Sequence, residues 1–376
     1  MGPRRGGSDA KGPKKVKGTK KDATKSSPEY SMSQLLTKTQ ELMDDNDYET
    51  ALKFAAKAIE MDENNTQALL LAAIIQLESG EVEPAINCLL KCAEISPERG
   101  FEKYMYLGQF AVELEAVKYF QLGVNAMQRD LDELSTAESK DQASSLKRKM
   151  AEAYVAMTEI YLTDCCFEED AEKKCEELLQ NGLLIDPECP EVYQTMASVR
   201  LSQNRPDDAR DCVAKSMALW ANKDLTDPTQ IPSYENRLAL VRLLLELDDK
   251  EKALALLEQL QKEDDENVDA WYLFGWTYHL QSEDLATAGD DEDKTELLRS
   301  ARECFKQAIK LANMLDYEND GLIDHALELV AAIDAIVPPT DGDDEEEDDV
   351  ATAAAVPNEL EWDDEGSEDE DVEMGS

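Results

Sequence analysis

Histidine occurs only twice in this chain of 376 residues, as His279 and His325, and the eight cysteines form no C-x-x-C pair. With ligands that sparse, no zinc constellation of ordinary spacing can be written. Catalytic signatures are missing too: there is no Gly-rich phosphate loop, no H-E-x-x-H and no Gly-x-Ser-x-Gly. Carboxylate pairs abound, but at this composition a pair marks nothing. These gaps argue against an enzyme and leave no catalytic residue, cofactor or metal site to name. No leader sequence and no apolar run of about 20 residues appears. The expectation is a soluble protein in a reducing compartment, with no membrane partner. Cys88 and Cys92, four apart on one helix face, then read as small residues in tight helix contacts; a metal or redox pair is the alternative.

Positive charge is scarce, with 38 Lys/Arg against 84 Asp/Glu for a net −46. That excess disfavours nucleic acid and anionic surfaces and favours a basic partner. Its distribution is uneven: residues 1–28 are at +7, 338–376 at −18 without one Lys or Arg, and 29–337 at −35. The head and the acidic tail lack apolar periodicity and are expected to be disordered. Lys14, Lys15, Lys17, Lys20 and Lys21 fit a nuclear-import patch, with a generic solvated basic tail as the alternative. Trp362, isolated in the acidic tail, is a docking anchor or a bland tryptophan.

Strand-like alternation is missing from 29–337, where apolar residues recur at helical spacing throughout. Ala51 and Ala85 lie 34 residues apart in matching settings, Tyr48-Glu49-Thr50-Ala51-Leu52 and Val82-Glu83-Pro84-Ala85-Ile86. That period is the mark of the tetratricopeptide repeat, a helix–turn–helix unit that stacks into a solenoid. Large residues meet Ala or Gly where two helices nearly touch, and Pro or Asn closes the second helix. The expected fold is all-α: a right-handed superhelical solenoid of about seven such repeats. Repeats start near residues 32, 66, 104, 151, 190, 234 and 268. The third has an inter-helix turn about four residues short. Residues 129–146 form a polar insertion, as a helix extension or a loop, and about fourteen residues at 282–295 are inserted in the seventh. A helix at 320–336 should cap the open end, stopped by Pro338-Pro339.

In this fold the first helices line a concave face, and the positions free of stacking duty report on the partner. In the seventh repeat these are Asp269, Tyr272, Trp276 and His279. Tyr272 and Trp276 are extra aromatics, because Trp271, Phe274 and Tyr278 already satisfy the packing pattern. They read either as an open clamp for Arg or Lys or as rings covered by the capping helix. Equivalent positions elsewhere supply Glu102, Glu152, Glu159, Glu191, Gln194 and Glu235, with Arg242 against them. An acidic groove suits an extended basic client; the bland alternative is that Glu is a good helix former at exposed sites. The first two repeats offer Ser33, Leu36, Gln40 and Met43, then Gln67, Leu70, Ile74 and Leu77, so the Lys/Arg/Asn clamp for heat-shock chaperone tails is absent.

The Lys-rich head, the irregular repeats with Trp271-Tyr272-Leu273-Phe274-Gly275-Trp276 in the last, the capping helix and a tail with Glu359-Leu360-Glu361-Trp362 form a combination. It resembles the fungal dedicated assembly chaperones of large-subunit ribosomal protein four, over essentially the whole chain. The resemblance implies a non-enzymatic escort. It would hold the long basic loop of the new ribosomal protein and accompany it from cytoplasm to nucleus, for assembly into the large subunit. A nuclear import receptor is then a further partner, direct nucleic-acid binding is not expected, and the escort is a monomer. The groove residues above come from repeat geometry, not from the family. The rival reading is an acidic tetratricopeptide scaffold or histone-type chaperone for another basic client, which client identity would separate.

Overall fold

The computed structural model describes residues 30–134, 140–223, 227, 230–288, 291–315 and 317–338. The head with its lysines, the acidic tail with Trp362, and Pro228 of the linker lie outside these residues. Among the described residues every regular element is an α-helix. The chain divides into two compact units, Met1–Pro187 and Glu188–Ser376.

The first unit holds four helix pairs: α1 (Met32–Asp44) with α2 (Tyr48–Met61), α3 (Thr66–Glu78) with α4 (Val82–Ile95), α5 (Glu102–Phe110) with α6 (Glu113–Glu133), and α7 (Lys140–Leu162) with α8 (Ala171–Ile185). Capping residues set the starts. Ser31 and Gln34 form a reciprocal capping box on α1, Asp47 accepts from the Thr50 amide at 3.1 Å and Asn65 from the Ala68 amide at 2.9 Å. Each cap satisfies an orphan N–H and contributes about 1 kcal/mol.

The second unit continues with α9 (Pro190–Ser202) and α10 (Pro206–Ala218), α11 (Tyr234–Glu246) and α12 (Lys250–Glu263), and α13 (Val268–Ala288) and α14 (Asp291–Leu315). A last helix, α15 (Asp320–Ile336), packs on α14. Proline opens both α9 and α10, where a missing N–H costs nothing. The segment before α11 is anchored rather than loose: Ile231 and Pro232 are buried, and the Pro232 carbonyl accepts from Arg237 Nε at 3.0 Å.

Four turns share one device. Asn46, Gly80, Asn204 and Asp248 each sit two residues before the second helix of a pair with φ between 56° and 76°. The amide after each reaches back to the first helix, as in Asp47 to Leu42 at 2.8 Å and Asp249 to Leu244 at 2.8 Å. This closes the helix through a left-handed residue, a conformation that Gly, Asn and Asp tolerate best.

The interior follows the small-against-large rule. Ala51, Ala55, Ala58, Ala68, Ala73 and Ala85 are fully buried beside Leu35, Ile75 and Leu89. Each buried Leu or Ile stabilises the stack by ~1.5–3 kcal/mol. Glycine replaces alanine where a ring crosses the backbone: a Cβ on Gly108 would meet Phe120 at 2.8 Å, and one on Gly275 would meet Phe305 at 2.7 Å.

Both polar insertions are mainly longer helices. Residues 129–146 extend α6 to Glu133 and start α7 at Lys140, and 282–295 extend α13 to Ala288 and start α14 at Asp291. The predicted capping helix spans 320–336, as the periodicity placed it. It carries no Lys or Arg, and none follows Lys310 in the sequence.

Candidate functional site

The aromatic positions of the seventh repeat are half-buried against the last helix. α15 lays Ala326 and Ile333, both fully buried, toward Phe305 of α14, with Tyr272 and Trp276 half-buried in the same cluster. The Tyr272 hydroxyl lies 2.7 Å from His325 Nδ1. Trp276 meets His325 with ring centroids 5.6 Å apart and stacks on His279, also at 5.6 Å and tilted by 29°. The only two histidines of the chain thus converge on one indole. Of the two readings of Tyr272 and Trp276, this packing favours rings set against the capping helix over an open clamp. The capping helix covers them, because an apolar end face left wet is costly.

Asp269 is also engaged within the protein. Its carboxylate accepts from Arg242 Nη2 at 2.6 Å and from the Tyr317 hydroxyl at 2.7 Å. Burial, then this bond to Asp269, pushes the Tyr317 hydroxyl up to about 12. Arg242 therefore holds α11 to α13 instead of weakening an acidic groove.

On α9, Gln194 departs from the expectation of an exposed contact. It is buried, with Nε2 donating to the Asn236 carbonyl at 2.6 Å while Oε1 has no partner. Its helix neighbour Glu191 is half-buried and accepts from Cys189 Sγ at 3.2 Å and from Asn236 Nδ2 at 3.5 Å. First-helix-to-first-helix packing of α9 on α11 is the physical reason: a position next to the neighbouring repeat is used by that repeat. Glu235, one residue into α11, is exposed.

In the first unit Glu102 opens α5 and is half-buried, while Glu152 and Glu159 of α7 are exposed. Glu159 is accessible to solvent yet surrounded by protein. Desolvation raises its carboxyl pKa, and no hydrogen bond or cation offsets that effect. Such a carboxylate is primed to gain from an incoming cation.

Three of the buried cysteines are held as thiols. Cys92 is buried, with Sγ donating to the Thr66 carbonyl at 3.4 Å. Burial pushes the thiols of Cys92 and Cys175 up to about 11 and that of Cys304 up to about 12, far from a thiolate at neutral pH. Among the described residues no group of three or more His, Cys, Asp or Glu is placed to hold a metal ion. Among the described residues no helix is long and apolar enough to cross a membrane. The import-type lysines Lys14, Lys15, Lys17, Lys20 and Lys21 lie outside the described residues.

The chain matches tetratricopeptide-repeat family models over residues 42–98 and 238–296. It is 33% identical over 326 residues to the probable assembly chaperone of rpl4 of Emericella nidulans, spanning 80% of both chains. It is 29% identical over 314 residues to the protein of the same description in Schizosaccharomyces pombe, spanning 82% of this chain and 92% of that one. A solved structure of an assembly chaperone of RpL4, Acl4 residues 1–338, superposes with a TM-score of 0.64 at 32% identity, covering 69% of this chain and all of that one. The chain is therefore a tetratricopeptide-repeat protein that belongs to the family of the rpl4 assembly chaperones.

Proposed function

We propose that this protein is a non-enzymatic, dedicated chaperone of rpl4. It holds the long basic internal loop of the newly made ribosomal protein on the acidic first-helix faces of its repeats. It then accompanies its client from cytoplasm to nucleus for large-subunit assembly. The observation that carries the reading is likeness over four-fifths of the chain to a protein described as an assembly chaperone of rpl4. The net charge of −46 supports it, since an acidic surface screens a client rich in Lys and Arg. Exposed Glu152, Glu159 and Glu235 supply counter-charge. Ribosomal RNA, with its higher charge density, takes the client over by competing for the same cations.

Tyr272, Trp276, Gln194 and Asp269 act in this reading by holding the first-helix faces in place. The basic head with Lys14 to Lys21 engages an import receptor, and the protein works as a monomer.

The test is isolation of the tagged protein in moderate salt with nuclease, followed by identification of what co-purifies stoichiometrically. One ribosomal protein, lost when its internal loop is deleted, upholds the reading. Histones, or a multi-subunit complex without rpl4, would replace it with an acidic scaffold for another basic client.

A further inference from the structure

The third repeat is cut short, and the cut makes a cavity. α5 stops after nine residues at Phe110, whereas α1, α3, α9 and α11 each run for thirteen. α7 is not shortened and runs to Leu162. The first helices α1 and α3, α9 and α11, and α11 and α13 lie against each other, whereas α5 has no comparable contact with α3 or with α7. The final turn of α7 thus faces the space that a missing turn of α5 would fill.

The chain re-enters α6 through Glu113, whose φ of 52° is left-handed. Here the strained residue is the first of the helix, not two residues before it as in the four Asn, Gly and Asp turns. A residue with a Cβ gives up ~1–2 kcal/mol to sit there. The shortened turn therefore persists at a local cost.

The resulting cavity measures about 270 Å³. Gly108, Ala116 and Phe120 line its buried part, half-buried Ala156 its wall, and exposed Glu159 and Asp164 its rim. Apolar surface continues outside it at Phe110 and Val112, which are 41% and 69% exposed. The volume falls below the ~300–1,000 Å³ of ordinary small-molecule sites, so it suits one long side chain rather than a cofactor. Carboxylates at the rim repel an anion, and the desolvated Glu159 has no cation of its own. A second copy of so acidic a chain is disfavoured by the same repulsion.

We propose that this cavity takes a single arginine or lysine side chain from an extended basic segment. The stem lies on Phe120 and Ala156, the charge meets Glu159 and Asp164, and an apolar neighbour in the segment rests on Phe110 and Val112. The inference rests on the rpl4 reading for the source of the segment but not for the chemistry of the cavity.

The experiment titrates purified rpl4 into the full-length protein and into its Glu159→Gln, Ala156→Phe and Glu60→Gln variants, with helicity checked by circular dichroism. Glu60 is an exposed carboxylate on α2, a second helix, and controls for lost charge. The expected result is Kd raised about tenfold by Glu159→Gln and Ala156→Phe and unchanged by Glu60→Gln. Unchanged Kd in the first two, with rpl4 still bound, overturns the cavity and leaves the client reading standing. If the unaltered protein fails to bind rpl4, the client reading falls, and a second probe decides the cavity. That probe is a twelve-residue peptide with one arginine beside leucine, compared with the same peptide carrying neutral citrulline. Preference for arginine, abolished by Glu159→Gln, upholds the cavity; equal binding of the two peptides overturns it.

Discussion

The hydroxyl of Tyr272 on α13 lies 2.7 Å from Nδ1 of His325 on α15, joining residues 53 apart in the chain. This contact, with the His325 ring against Trp276, joins α15 to α13, while Ala326 and Ile333 pack toward Phe305 of α14. Tyr272→Phe keeps the ring and removes the bond. Denaturant unfolding should show a loss of ~0.5–1.5 kcal/mol. Amide exchange should rise first in α15, because terminal elements open before central ones.

Gly275 sets the distance between α13 and α14. A Cβ there would lie 2.7 Å from Phe305 and 3.0 Å from the Ala301 carbonyl, and Phe305 is fully buried. Gly275→Ala is expected to destabilise by ~1–3 kcal/mol through overpacking. Gly321→Ala on α15, with only Asn319 Oδ1 nearby at 3.6 Å, should leave the melting temperature within a degree or two. Equal effects of the two would contradict the close approach.

Arg302 of α14 is 1% exposed and donates to the Val337 carbonyl at 3.1 Å and to Asp334 at 3.3 Å. It ties down the C-terminal end of α15. Arg302→Met keeps volume but leaves both acceptors without this donor, at a cost of ~1–3 kcal/mol. The readout is faster limited proteolysis after Glu328, with α1 to α4 unaffected.

Glu159 gives a pH signature of its own sign. Its folded pKa is raised by desolvation, so the folded state holds the proton more tightly than the unfolded one. Its contribution to stability is fully present below the unfolded pKa and is lost as pH rises through the folded value. Glu159→Gln should therefore raise the neutral-pH melting temperature slightly while weakening client binding. The gain should vanish in mildly acidic buffer. A variant less stable than the parent at neutral pH would show that the carboxylate is satisfied after all.

The repeat architecture was legible because its cause is periodic. Alanine at the helix crossings and Asn, Gly or Asp in the turns recur with the period itself, and they placed α1 to α4 and α15 closely. What escaped was aperiodic. The polar residues near 129–146 and 282–295 carry too little apolar pattern to distinguish a helix extension from a loop, yet they extend α6, α7, α13 and α14. Tyr272 and Trp276 sat on the right helix face, but the repeat pattern says nothing about what caps the final repeat. His325 had no periodic partner to reveal it. Gln194 and Asp269 lie on the expected helices, but nothing in the sequence signals that Asn236, Arg242 and Tyr317 reach them from neighbouring elements. The short turn of the third repeat was visible as a length deficit, and its consequence, a cavity beside Glu159, needed three dimensions.

One property of α15 bears on how this protein is handled at the bench. No lysine or arginine follows Lys310, so trypsin has nothing to cut in the covering helix whether it is docked or detached. Everything from Leu311 onward leaves as one long acidic peptide, awkward to ionise and easily overlooked in a mass spectrum. An opening of α15 would pass unseen in a tryptic map, and a protease that cuts after Glu would report it.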